Sequence, residues 1–277
     1  MKIFAFADEA SPLITGQIAA LKRNGLCGLE IRGVDGTNIS DISLEKAAEV
    51  RKQLDNVGLT IWSVGSPIGK ISIKDDFEPH LEKFRHTLAL AKVLGAENIR
   101  LFSFYVPDEA DSYRDTVIQR LREFVRIAED TGITLCHENE KGIYGDTVER
   151  CLDIHNAVPQ LKAVFDPANF VQCGQNPLEA WKKLSGYVKY LHIKDAAADG
   201  QIVPAGMGVG CIPQIISEYA QKGGDAITLE PHLAVFEGLK DLEQEGGTSD
   251  VGRFRYASND EAFDAGCKAL KSILCAK

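Results

Sequence analysis

Six glycines, Gly25, Gly58, Gly95, Gly132, Gly186 and Gly223, each close an amphipathic stretch and each precede a run of apolar residues. Pro159 stands in the one place that interrupts the series, and the stops fall 27 to 37 residues apart. Glycine just past the end of a helix takes a left-handed conformation that other residues avoid. A helix–strand unit of this length, repeated along a chain, needs parallel strands joined by helical crossovers. Strands are expected over 2–6, 28–32, 59–64, 98–104, 133–138, 161–165, 188–193 and 226–230. Helices are expected over 12–24, 44–56, 78–94, 111–131, 147–156, 177–184, 212–222 and 260–275. In the fourth helix, Leu121, Phe124, Val125 and Ala128 mark one face at helical spacing. Eight strands alternating with eight helices predict a (β/α)8 TIM barrel, read as a single domain over 1–277. An open doubly wound sheet is the alternative.

Four successive predicted strands end on a polar, ligand-type residue. Ile133-Thr-Leu-Cys-His-Glu ends in Glu138, Ala163-Val-Phe in Asp166, Tyr190-Leu in His192, and Ile227-Thr-Leu in Glu230. A carboxylate where an apolar run stops is costly unless a cation or a hydrogen-bond donor receives it. In a barrel these strand ends share the C-terminal face, where active sites of this fold lie. Neighbouring strands are about 4.8 Å apart, so four inward side chains can meet at one ion. Glu138, Asp166, His192 and Glu230 are therefore the candidate metal ligands. Three carboxylates and an imidazole make a hard site, which suits one divalent ion, Mn²⁺ first, with Mg²⁺, Co²⁺ or Zn²⁺ as alternatives.

Bulk properties narrow the partners. The net charge of −9 argues against a nucleic-acid backbone or an anionic membrane surface. The start, Met1-Lys-Ile-Phe-Ala-Phe-Ala-Asp8-Glu9, turns acidic too soon for a signal peptide, and no apolar run approaches a membrane span. Seven cysteines without a C-x-x-C pair read as reduced thiols of a cytoplasmic protein. Cys136 and Cys173 flank proposed ligands but read as small buried hydrophobes.

At His137-Glu-Asn139, Asp166-Pro-Ala-Asn169, Leu191-His-Ile-Lys-Asp195 and Leu229-Glu-Pro-His232 the chain resembles the xylose isomerase-like barrel superfamily. That superfamily includes ketose 3-epimerases, hydroxypyruvate isomerase, inosose dehydratase and apurinic endonucleases of the second type. The resemblance runs from Phe6-Ala-Asp8 through Leu29-Glu-Ile31 to the last helix. It implies a divalent-metal site on the same four residues. It also implies a sugar isomerase or epimerase in which Glu138 and Glu230 exchange the proton next to a carbonyl, through a metal-bound enediolate. An inosose dehydratase-like or keto-sugar lyase, working by β-elimination on the same site, is the alternative, and an apurinic endonuclease the remote one. The implied partner is a small carbohydrate or polyol. The sequence departs from the ketose epimerases at Asn169, where they carry a histidine, and at Ala196-Ala-Ala-Asp-Gly200, which lacks their arginine. Met207 sits where the family turn often has an acid.

Further substrate contacts are expected from position. Asn169 follows the aspartate motif. Lys194 shares the inward parity of His192 and could stabilise an oxyanion or else pair with Asp195 or another acid. His232 shares parity with Glu230. Trp62 could stack on a sugar or pack the barrel, His137 should face the helices, and Asp8 and Glu9 should lie near the mouth with one of them capping a helix. The segment 233–259 is long for a connection. It is expected to contain a helical stretch over 235–244, with Gly246-Gly-Thr-Ser249 a weak phosphate signal. Arg253-Phe-Arg255-Tyr256 could then form a lid in which Arg253 or Arg255 supplies a cation. A subunit contact within a homo-oligomer is the alternative use.

Overall fold

The computed structural model describes residues 1–107, 110–236 and 254–276. Eight parallel strands close into a barrel: β1 (Lys2–Ala5), β2 (Gly28–Ile31), β3 (Thr60–Gly65), β4 (Asn98–Leu101), β5 (Thr134–Glu138), β6 (Lys162–Phe165), β7 (Val188–Ile193) and β8 (Ala226–Leu229). Each strand pairs with its chain neighbour, and β8 returns to β1 in the register Lys2↔Ala226. Around it lie α1 (Ile14–Arg23), α2 (Leu44–Asp55), α3 (Glu78–Leu94), α4 (Arg114–Ala128), α5 (Val148–Ala157), α6 (Pro167–Gln172), α7 (Pro177–Leu184), α8 (Ile212–Gln221) and α9 (Asn259–Cys275). The predicted element boundaries hold to within three residues. The short α6 and two small hairpins, Gly33–Val34 with Thr37–Asn38 and Asp195–Ala196 with Ile202–Val203, were not anticipated. Among the described residues no helix is long and apolar enough to cross a membrane.

The glycine series works as read, with one exception. Gly25, Gly58, Gly95, Gly132 and Gly223 all have positive φ, and Gly95 caps α3 directly. Gly186 does not, because α7 ends on Ser185 in the right-handed region.

Among the described residues three apolar clusters carry the fold, the third being small and containing Ala168, Ala196, Ile202, Leu233 and Ala262. One large cluster fills the space between strands and helices. A smaller one, Phe4, Trp62, Cys136, Val164, Tyr190 and Ala226, fills the barrel interior near the strand starts. Trp62 belongs to this layer, its ring stacked on Phe4 at 5.3 Å and edge-on to Tyr190. It therefore packs the barrel floor instead of meeting a substrate at the mouth. Cys136 lies in the same layer, and all seven cysteines are free.

His137 faces outward as expected, bonded to Ser103 Oγ at 2.9 Å and edge-on to His155. The loop after β3 is held by another buried histidine. His80 Nε2 accepts from the Gly69 amide at 2.8 Å, so the ring is neutral at that nitrogen. Gly69 has φ +88, and a Cβ there would meet the Phe102 carbonyl oxygen at 2.0 Å, so only glycine fits. The next residue, Lys70, thereby reaches the barrel mouth.

Burial, with Lys83 and Arg120 nearby, pushes the His80 ring down to about 4. The folded value lies below the unfolded one of about 6.5, so the unfolded chain binds more protons between them. His80 therefore contributes stability above pH 6.5 that is lost as the pH falls towards 4, at up to about 1.4 kcal/mol per pH unit. Urea midpoints measured across that range should show a slope shallower by one proton in His80→Gln than in the parent. Equal slopes would show that His80 does not supply this term.

Candidate metal centre

The mouth of the barrel is built from alternate residues of its strands, because only every second side chain points inward. From β5 to β8 and the positions just past them come Glu138, Asp166, His192 and Glu230, all buried. One ligand-type atom from each lies within 4.8 Å of the others. The four predicted ligands are thus brought together at one point. His192 Nδ1 is 2.9 Å from Glu138 Oε1 and 3.3 Å from Glu230 Oε2. Asp166 caps α6: its Oδ1 accepts from the Asn169 amide at 3.0 Å, which fixes the side chain towards the axis.

The remaining oxygens of the two glutamates are held from the other half of the barrel. Arg100 of β4 donates from Nη1 to Glu138 Oε2 at 2.8 Å. Arg32, just past β2, donates from Nη1 to Glu230 Oε1 at 3.0 Å and also binds Asp8 at 2.9 Å and Glu9 at 3.3 Å. Asp8 and Glu9 are accordingly partners of Arg32, and neither shows the capping role expected of one of them. Glu30 of β2 faces the far nitrogen of His192, Nε2, at 3.1 Å.

Lys194 does not pair with Asp195. Its ammonium stands 2.9 Å from Asp166 Oδ2 and 3.4 Å from Glu230 Oε2, bridging two ligand carboxylates. Asn169 Nδ2 donates to the Asn139 carbonyl at 2.9 Å and approaches Glu138 Oε1 at 3.4 Å. His232 Nε2 lies 3.3 Å from Glu230 and 3.4 Å from Glu9. Arg255 is exposed and, among the described residues, makes no ion pair with the mouth carboxylates. Tyr256 packs on the cluster that contains Ala168, Ala196 and Ile202. Arg253, the 246–249 stretch and all of the expected 235–244 helix beyond Phe236 lie outside the described residues.

Sequence reasoning missed Glu30, Arg32, Arg100 and Lys70. The first three were detectable as charges at period two inside strands that must be buried on both faces, Glu30 with Arg32 and Asn98 with Arg100. Lys70 had no such signal, since its reach depends on the turn at Gly69.

The electrostatics match the contacts. Burial works against the Glu138 charge, yet His192 and Arg100 outweigh it and hold the carboxyl down at about 2. Burial likewise opposes the Glu230 charge, and Lys194 leads the groups that keep this carboxyl well below its usual range. Asp166 goes the other way: burial, aided by Glu138 and Glu230 and opposed by Lys194, pushes it up to about 7. Burial disfavours the His192 cation, but Glu138 and Glu30 on opposite sides hold its value well above that of a free imidazole.

A small divalent cation fits these residues. Asp166 Oδ2 is buried and accepts no hydrogen bond, although Lys194 stands near it. The cavity at Glu138 and Glu230, lined also by Lys70, Arg100, Asn169, Lys194 and His232, is about 30 Å³, the scale of one ion or water. The donor set is hard, and its charge calls for a dication. Another groove, about 580 Å³ and lined by Arg122, Arg126, Ile133 and Lys162, opens at the start of β5, far along the strand from Glu138, and among the described residues holds no ligand cluster.

Residues 18–246 match the sequence profile of the xylose isomerase-like TIM barrel family. The chain belongs to that family. A curated relative, the 3-dehydroshikimate dehydratase of Bacillus anthracis, is 22% identical over 179 residues, which is 63% of this chain and 64% of the relative. The match thus spans less than two thirds of that protein. Among solved structures, the D-allulose 3-epimerase from Methylomonas superposes with a TM-score of 0.75 at 16% identity, covering 99% of this chain and 98% of that one. The IOLI protein, solved with a zinc atom, superposes at 0.74 and 18% identity with the same coverage. At such identities the superpositions establish the fold. The named relatives of this family member are enzymes that include a dehydratase and an epimerase.

Elemental analysis of protein loaded with MnCl2 and then desalted should return one divalent ion per chain. The double variant Asp166→Ala, His192→Ala should return none, and retention of the ion would remove these residues from the centre.

Proposed function

We propose that the chain is a divalent-metal-dependent isomerase or epimerase of a ketose or related polyol. The observation that carries this reading is the split arrangement of Glu138 and Glu230. Each turns one oxygen to His192 and the other to an arginine from the opposite half-barrel. Two carboxylates so fixed can work on a carbon acid held between them. One removes the proton next to the carbonyl, the C–H electron pair forms the C=C bond as the C=O pair moves to oxygen, and the other, after taking a proton from solvent, delivers it to the opposite face. Such positioned groups contribute about 10²–10⁴-fold each. A bound divalent ion would supply Lewis acidity towards the carbonyl and its neighbouring hydroxyl, with Glu138, Asp166, His192 and Glu230 holding it. Lys194, between Asp166 and Glu230, adds positive charge where oxyanion character develops. Asn169, His232 and Arg100 line the same space and would orient substrate hydroxyls.

A lyase reading is favoured by the relative named a dehydratase. It shares the first proton removal but then expels a β-hydroxyl as water instead of reprotonating carbon. NMR of ketoses and cyclic polyhydroxy ketones incubated with Mn²⁺-loaded protein in D2O separates the two. Deuterium at an unchanged carbon skeleton supports the isomerase or epimerase, and an alkene product supports the lyase. Neither change across the panel would overturn the proposal.

Glu138→Gln and Glu230→Gln should each lower turnover by about 10²–10⁴-fold with the ion still bound. Each substitution also leaves a buried arginine facing an amide instead of a carboxylate, so the metal-free melting temperature should fall by a few degrees. Near-parental turnover in either folded, loaded variant would take that glutamate out of the chemistry.

A further inference from the structure

Glu30 is a fully buried carboxylate that the chemistry above does not use. It enters the interior from β2 at a point where the β2–β3 register shifts, which sets it opposite Ser63. Its two oxygens have separate tasks. Oε1 accepts from the Tyr190 hydroxyl at 2.8 Å and from Ser63 Oγ at 3.3 Å. Oε2 stands 3.1 Å from His192 Nε2.

A carboxylate can only accept, so the proton of this contact is on Nε2. Nδ1 faces Glu138 Oε1 at 2.9 Å and carries the ring's second proton; a cation held where Glu138, Asp166 and Glu230 converge would displace that proton and leave the Nδ1 lone pair facing it. The ring is also fixed in plane, with Phe6 edge-on at 5.2 Å and Tyr190 tilted against it at 5.6 Å. We propose that Glu30 is the positioning residue of the metal centre: it fixes His192 with Nε2 protonated and so presents Nδ1 as the ligand. The inference rests on the reading of His192 as a metal ligand. A carboxylate on the remote nitrogen of a ligating histidine holds the ring's tautomer and orientation and raises its donor strength. The arrangement also explains why a carboxylate is buried beside Ser63 and Tyr190, where a neutral side chain would pack without desolvation cost.

Two variants separate reach from charge. Glu30→Gln keeps the reach and removes the charge. Glu30→Asp keeps the charge and withdraws it by one methylene, so the carboxylate no longer spans to Nε2. Isothermal titration with MnCl2 should show binding about 10- to 100-fold weaker in both. Zinc-loaded, ¹⁵N-histidine-labelled wild-type protein should show His192 bound through Nδ1, with an exchange-protected proton on Nε2. In Glu30→Asp that proton should exchange freely. If one variant does not fold, the other still reads the effect, and the zinc spectrum of the wild type needs neither. Either folded variant binding Mn²⁺ within twofold of wild type, or zinc bound through Nε2, overturns the proposal. Wild-type protein that takes up no divalent ion would instead overturn the metal reading on which it stands.

Discussion

Everything at the barrel mouth follows from concentrated buried negative charge. Glu30, Glu138, Asp166 and Glu230 are each almost wholly removed from water, and their carboxylates share one imidazole and one ammonium. Isolated buried carboxylates would neutralise or unfold the site. The protein keeps them by setting a cationic group against each. His192 serves Glu30 and Glu138, Lys194 serves Asp166 and Glu230, and Arg100 and Arg32 take the outer oxygens of the two glutamates. Arg32 also serves Asp8 and Glu9, so carboxylates outnumber these cations, and the cations are unequally movable. The arginines are anchored at strand ends and cannot lose their protons. The imidazole and the ammonium are the groups able to yield a proton.

This division has a geometric origin. Inward residues of β5 to β8 provide the ligands, while β2 and β4 and the residue past β2 provide Glu30, Arg100 and Arg32. Barrel closure is what lets one half support the other, since Arg32 meets Glu230 only because β1 links β2 to β8. An open sheet with the same strands would leave β2 and β8 apart, with buried charges unpaired on both. The charge pattern thus favours the closed topology over the doubly wound one, independently of the strand count.

The convergence of Glu138, Asp166, His192 and Glu230 was legible in the sequence because each terminates an apolar run, where polarity contrasts with what precedes it. Arg100 sits within its run, so only its period-two spacing from Asn98, not a contrast at a run's end, marks it. Of the two uses expected for Trp62 the structure takes barrel packing, because height along the barrel axis decides between floor and mouth. That height depends on strand stagger, which no local pattern reports. The positive φ at Gly25, Gly58, Gly95, Gly132 and Gly223 was legible because each must reverse a helix into a strand. The α6 helix was hidden by its shortness, and it matters because its N-cap is Asp166. Capping uses Oδ1 of that side chain and the ion pair with Lys194 uses Oδ2.

Adjacent residues at the end of β7 show how the outer loops are kept off the centre. Lys194 turns in to the carboxylates, and Asp195 turns out to accept from the amides of Ala196, Gly206, Gly208 and Gly210 at 2.8–3.0 Å. A Cβ at Gly208 or Gly210 would stand 2.4 or 2.6 Å from Asp195 Oδ1, so the glycines are required for the backbone to wrap the carboxylate. The loop is thus anchored by an acid inside it, and Met207 at its tip is left 63% exposed. Had Asp195 been unavailable to the loop, it would have been the nearest acid for Lys194. Four amide donors satisfy Asp195 completely, and the lysine is left with Asp166 and Glu230 as its partners at the metal centre.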